Sequence, residues 1–285
     1  RIGDAAWQAA DMRARGFLLG ATAGRTTLNG EGLQHEDGHS HLLAGAIPNC
    51  RAYDPTFGYE VAVILQHGMH RMLDEQQDEY YYLTLMNENY AHPDMPEGAA
   101  EGIIKGMYLL KDAGKPKKGE LRVQLLGSGT ILREAIAAAE LLDKDFGVTA
   151  DIWSCPSFTE LRRDGFDAER HNRFNPEAKT PRKPYVTELL EGRQGPAIAA
   201  TDYVRAFADQ IRAFVPMRYT VLGTDGFGRS DTRANLRRHF EVDRFHIAHA
   251  AIAALAAEGK MTAKDVARAI KQYKIEVGKP NPVSV

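Results

Sequence analysis

Between Gly24 and His41 the sequence reads Gly-Arg-Thr-Thr-Leu-Asn-Gly-Glu-Gly-Leu-Gln-His-Glu-Asp-Gly-His-Ser-His. Three of the chain's ten histidines, His35, His39 and His41, fall within seven positions, among Glu31, Glu36 and Asp37. Carboxylates beside an imidazole favour its charged form. Such a histidine can donate a proton or hold an anionic substrate near neutral pH. Glycines 24, 30, 32 and 38 let the backbone turn sharply and let a ligand come close to it. They also disfavour continuous helix, by roughly 1 kcal/mol each relative to alanine. The stretch reads as a candidate active-site loop.

Two other readings of the same residues compete. His35-Glu36-Asp37-Gly38-His39 has the form H-E-x-x-H, in which a helix puts two zinc-binding histidines one turn apart and holds a glutamate over bound water. Gly38 inside the motif, with Gly30 and Gly32 just upstream, works against that helix. Glu60 is available as a third ligand, but no spacing marks it. The second alternative is a non-catalytic interaction module with a solvated polar loop.

The elements around the loop read as α/β. Arg1 to Arg15 has roughly helical apolar spacing, and Phe17 to Gly20 reads as a short buried strand that delivers the loop. Asp54-Pro55 reads as a helix start, and the apolar stripe from Tyr59 runs to Leu73, with His67 and His70 on its solvated side. Tyr80 to Met86 reads as a strand, and Asn87-Glu88-Asn89-Tyr90 at its end is either a second wall of the site or ordinary turn chemistry. His92 to Gly98, with two prolines, is the expected linker. Strands then follow at Val123–Leu126, Val148–Trp153, Ala197–Ala200 and Tyr219–Leu222. Helices lie between and after them, at 131–142, 158–163, 202–214, 232–239, 245–257 and 262–271. That alternation predicts a mostly parallel sheet covered on both faces. Gly127-Ser128-Gly129 and Gly223 to Gly228 have neither dinucleotide nor phosphate-loop spacing. Gly223 to Asp231, with Arg229 and Arg233, reads as a subunit-contact or domain-packing loop, and Arg237-Arg238-His239 as a solvated helix face.

Composition narrows the classes. With 44% hydrophobic and 26% charged residues, neither disorder nor a membrane protein is favoured. A net charge of -2 without a basic block gives nucleic acid no electrostatic footprint. Cys50 and Cys155 have neither metal spacing nor a disulfide framework, so a reducing cytoplasm is the expected location.

At Gly30 to His41 the sequence also resembles a family: the pyruvate dehydrogenase component of homodimeric bacterial type, a transketolase-like thiamine diphosphate enzyme. The resemblance continues at Ile47–Cys50, Tyr53–Pro55, Leu85–Tyr90, Met95–Gly98, Gln124–Gly129, Ser157–Leu161, Thr201–Tyr203 and Leu222–Asp231. It implies that residues 1–95 are the second half of the cofactor's pyrimidine-binding domain. Residues 96–118 would be linker and domain entry, and 119–285 a transketolase C-terminal-like domain. Only the C-terminal third of the family is resembled, so the chain reads as a fragment or one piece of a longer polypeptide.

The implied reaction is decarboxylation of pyruvate on thiamine diphosphate with Mg2+, then reductive acetylation of a lipoyl group of dihydrolipoyl acetyltransferase. The implied assembly is a homodimer. His35 and Glu31 would be the catalytic pair; His39, His41 and Asn87 would be substrate-binding. The cofactor-binding residues would lie upstream of this chain, and no residue here is expected to be a metal ligand.

Overall fold

The computed structural model describes residues 2–21 and 23–285; Arg1, the first residue of the expected N-terminal helical stretch, lies outside the described residues. Two sheets organise the chain. The first has three parallel strands in the order β1 (Phe17–Ala21), β3 (Tyr80–Leu85), β2 (Cys50–Tyr53). Side chains of β3 alternate between faces, as strand geometry requires. Tyr81 and Leu83 pack towards α3 (Gly58–Met69) and α4 (Ala99–Lys105), while Tyr80 and Tyr82 pack towards α1 (Ile2–Asp11) and α2 (Ser40–Ala46).

The second sheet has the order β4 (Tyr108–Lys111), β6 (Val148–Ser154), β5 (Leu121–Gly127), β7 (Ala197–Ala200), β8 (Tyr219–Leu222). All its pairs are parallel except β4–β6, at the edge. On one face Val123 and Leu125 meet α5 (Ile131–Phe146) and α10 (Arg244–Ala257), with α11 (Ala263–Gln272) packed outside α10. On the other face Leu126 and Trp153 meet α6 (Phe158–Phe174), α7 (Tyr185–Leu190) and α8 (Arg205–Asp209). The helix α5 forms because Ile131, Leu132, Ala135, Ala138 and Leu142 make one buried stripe in an alanine-rich segment. Each large aliphatic member of that stripe contributes about 1.5–3 kcal/mol by burial. This is the expected mostly parallel α/β architecture.

Several expectations change in detail. The strand β1 is not buried: it lies at the edge of its sheet, and Leu18 and Leu19 are exposed. The helix expected from Asp54 begins at Gly58, and Asp54 is wholly buried beneath it. Its start is held instead by the Glu60 carboxylate, whose Oε2 accepts from the amides of Thr56 at 2.5 Å and Phe57 at 3.0 Å. After Met69 it widens into a π turn over His70–Asp74. His70 is exposed, whereas His67 is half-buried and burial pushes its pKa down. The helix expected over 202–214 is only α8 plus a short 3-10 turn at Arg212–Phe214, because 201–204 form a tight loop. Residues 86–96 form no regular element.

Arg237 does not lie on a solvated face. On α9 (Arg233–His239) it is 6% exposed. Its guanidinium is paired with Glu88 and, at 3.6 Å, with Glu134. Glu134 also accepts from Arg244 at 2.9 Å, and Glu88 from Arg133 at 2.7 Å. This charge network joins the segment after β3 to α5, α9 and α10, and so joins the two sheets.

Candidate active site

The C-terminal end of β1 delivers the histidine loop, and the C-terminal ends of β3, β5, β7 and β8 deliver Asn87–Tyr90, Gly127–Gly129, Thr201–Tyr203 and Gly223–Asp231. Loops at these strand ends are where open α/β sheets build ligand sites.

From residues 31 to 39 the loop forms turns and bends, not helix. His35 closes a turn by donating its amide to the Gly32 carbonyl at 2.8 Å. Glu31 and His35 stand together on the exposed rim, with Glu31 Oε2 3.6 Å from His35 Nδ1. The carboxylate faces one ring nitrogen beyond hydrogen-bond distance, and both side chains are open to solvent. His39 is exposed as well; its amide donates to Asp37 Oδ1 at 3.0 Å. Asn87 is also exposed, with its Oδ1 3.5 Å from the Arg233 guanidinium, whose Nε donates to the Thr27 carbonyl at 2.9 Å. Four of the five residues expected at the site therefore lie at an accessible surface.

The fifth does not. His41 is 1% exposed, one residue into α2, with its ring stacked on Phe207 and edge-on to Tyr203. Burial lowers its pKa to about 4, against a smaller raising effect of Asp37. His41 thus stays neutral inside the protein and does not reach a substrate in this conformation. Its Nε2 lies 2.9 Å from Thr84 Oγ1, which donates to Asp54 Oδ1 at 2.8 Å. The His41 nitrogen is therefore the donor to Thr84. Ser128 Oγ donates to Asp54 Oδ2 at 2.7 Å and lies 3.2 Å from Thr201 Oγ1. Burial pushes the Asp54 carboxyl up to about 7, despite the bonds from Ser128 and Thr84 that oppose the shift. This buried polar chain packs the loop from beneath.

The H-E-x-x-H geometry is absent. Glu36 is 1% exposed, and its Oε2 accepts from the Arg229 amide at 2.5 Å. Burial raises its pKa, against that bond and Arg25. Glu60 is committed to the start of α3, to Tyr108 OH at 2.7 Å and to Ser154 Oγ at 2.6 Å. Among the described residues no three His, Cys, Asp or Glu side chains are grouped so as to hold a metal ion.

Sequence reasoning passed over Arg25. It is 5% exposed; its Nε donates to the Glu36 carbonyl at 3.2 Å and its NH1 to the carbonyls of Thr224 at 2.5 Å and Gly226 at 2.6 Å. Gly38 is required beside it, because a Cβ there would lie 2.4 Å from Arg25 Cζ. The loop over Gly223–Asp231 thus packs on the histidine loop. The packing role expected of Gly223–Asp231 covers this contact, but for Arg25 an arginine in a glycine-rich loop was the one signal in the sequence.

The family model described as the pyruvate dehydrogenase E1 component middle domain matches residues 1–93, and that of the transketolase-like C-terminal domain matches 106–243. The pyruvate dehydrogenase E1 component of Cupriavidus necator is 63% identical over 285 residues, covering 100% of this chain and 32% of that protein. The chain belongs to the pyruvate dehydrogenase E1 component family. Its counterparts in Pseudomonas aeruginosa and Escherichia coli are 62% and 56% identical, each over 284 residues, 99% of this chain, and 32% and 31% of their own length. The chain thus spans about a third of the length of the E1 components it matches. Transketolases share its fold at low identity. That of Leishmania mexicana superposes with a TM-score of 0.64 at 16% identity, over 89% of this chain and 32% of its own. That of Campylobacter jejuni gives 0.62 at 19% identity, over 86% and 32%.

Proposed function

We propose that this chain is the C-terminal portion of a pyruvate dehydrogenase (acetyl-transferring) and supplies one wall of its active site. The whole enzyme decarboxylates pyruvate and reductively acetylates the lipoyl group of dihydrolipoyl acetyltransferase. The observation that carries the reading is identity of 63% over all 285 residues to a protein named pyruvate dehydrogenase E1 component. The exposed Glu31–His35 pair at the strand ends supports it. The zinc-hydrolase reading has no support, because Glu36 is buried and bonded.

Thiamine diphosphate would supply the carbanion sink for this reaction. Its Mg2+-diphosphate anchor would lie upstream of this chain, outside the described residues. The described residues fit a wall beside it. There His35 Nε2 would donate to, or hold, the carboxylate or carbonyl oxygen of a 2-oxo acid, while Glu31 would orient or polarise the site beside it. His39 and Asn87 would extend the rim around the substrate.

Family membership supports a homodimer that docks lipoyl domains, and two free, buried cysteines are compatible with a reducing cytoplasm. A division near residue 95 is supported by two separate sheets and the irregular run over 86–96, whereas the second unit would begin before 119, because β4 at Tyr108–Lys111 is already a strand of the second sheet. The test is a chimera in which these 285 residues replace the matching third of the Cupriavidus necator E1 component. Pyruvate decarboxylation and acetylation of a lipoyl domain are expected within about tenfold of the parent. A folded, cofactor-loaded chimera inert towards pyruvate would overturn the reading.

A further inference from the structure

Apart from Thr84 and Tyr82, which hold His41 and Ser40 at its end, the histidine loop is held in place mainly by the second half of the chain. Thr26 donates its amide to the Asp202 carboxylate at 3.1 Å, and Val204 donates its amide to the Gly38 carbonyl at 2.8 Å. Ser230 Oγ donates to the Glu31 carbonyl at 3.1 Å, Arg229 N to Glu36 Oε2, and Arg233 Nε to the Thr27 carbonyl. At the centre lies the Arg25 guanidinium, which meets one carbonyl of its own loop and two of the loop after β8. Burial lowers the Arg25 pKa, opposed by the charges of Asp37, Asp202, Glu36 and Asp225.

A buried cation spent on three backbone carbonyls fixes two loops relative to each other, because the planar guanidinium offers donors in set directions. The loop after β8 is itself pinned from behind. At Gly226, φ is +106° and a Cβ would lie 2.2 Å from the carbonyl oxygen of Pro282 in the C-terminal segment.

We infer that Arg25 is a positioning residue: it clamps the Glu31–His35 loop onto the loop Gly223–Arg229, so that the C-terminal half sets where His35 meets substrate. This rests on the assignment of His35 given above. The clamp acts on the backbone on either side of the pair. Arg25 bonds the carbonyl of Glu36, next to His35, and Ser230 bonds the carbonyl of Glu31. A displacement of about 1 Å at a substrate-positioning group can cost ~10²-fold in rate.

The test compares Arg25→Gln, Arg25→Lys and His35→Ala, alone and combined. In the 285-residue chain, hydrogen exchange across residues 25–41 is expected to quicken about tenfold or more in Arg25→Gln. Exchange in α5 should stay unchanged. In the chimera, turnover should fall by about 10²-fold, with partial recovery in Arg25→Lys, which keeps the charge but not the fork. Added to His35→Ala, Arg25→Gln should cost little more, because both act on the same side chain. Unchanged exchange, or losses that multiply fully in the double variant, would overturn the inference. Full turnover in His35→Ala would instead remove the assignment of His35, while the exchange measurement still judges the clamp. If Arg25→Gln does not fold, Arg25→Lys and Ser230→Ala carry the same comparison.

Discussion

Replacing His41 by phenylalanine should change how stability depends on pH. Phenylalanine keeps an aromatic ring against Phe207 and Tyr203 and removes only the bond to Thr84, which still donates to Asp54. The native His41 pKa is lowered to about 4 by burial, whereas a histidine in an unfolded chain titrates near 6.5. The unfolded state therefore binds the proton first. Its contribution is fully present above pH 6.5 and is lost as pH falls towards 4. From these two values the loss is about 2 kcal/mol by pH 5 and about 3 kcal/mol by pH 4. Asp54, raised to about 7 by burial, and Asp202, raised to about 6 by burial, work in the opposite direction: the native state binds their protons first, so they favour folding as pH falls. Comparing wild type with His41→Phe isolates the histidine, because both aspartates are present in each. Urea unfolding at pH 7.5, 6 and 5 should give curves that converge on acidification, with the wild type losing about 2 kcal/mol more than the variant. Parallel curves would mean that His41 is not buried as a neutral group, and would refute the reasoning.

Two further outcomes are expected. Calorimetric titration of the isolated 285-residue chain with thiamine diphosphate and Mg2+ should give no measurable binding; saturable micromolar binding at one site per chain would show that the anchor lies here after all. Arg237→Met should destabilise the chain by about 2 kcal/mol in urea unfolding, because it takes the buried arginine from half-buried Glu88 and buried Glu134 and leaves them only Arg133 and Arg244. A loss under about 0.5 kcal/mol, the scale of a surface pair, would contradict the burial of that network.

The architecture was largely legible because its cues are strong. Apolar runs such as Leu125-Leu126 and Ala197–Ala200 alternate with helical stripes, and the Gly24–His41 loop concentrates titratable groups. The strands β2 and β4 were not legible. Each has only four residues, β2 carries Arg51 to reach Glu79 and Glu160, and β4 is an antiparallel edge with a bulge. The burial of His41 was hidden by its neighbour. Where α2 begins, two positions correspond to roughly 200° around a helix, so His39 faces out and His41 in. Arg237 and Asp54 look like surface residues in sequence; only their distant partners, Glu88 and Glu134 for one, Thr84 and Ser128 for the other, make burial possible.

The central claim is that His35 meets the substrate. Its most direct test is the steady-state rate of pyruvate turnover in the chimera carrying His35→Ala, beside His70→Ala as a control on an exposed histidine of the π turn. The account predicts a loss of ~10²-fold or more for His35→Ala, with folding intact and His70→Ala near the parent rate. Equal, undiminished rates in the two variants would contradict it.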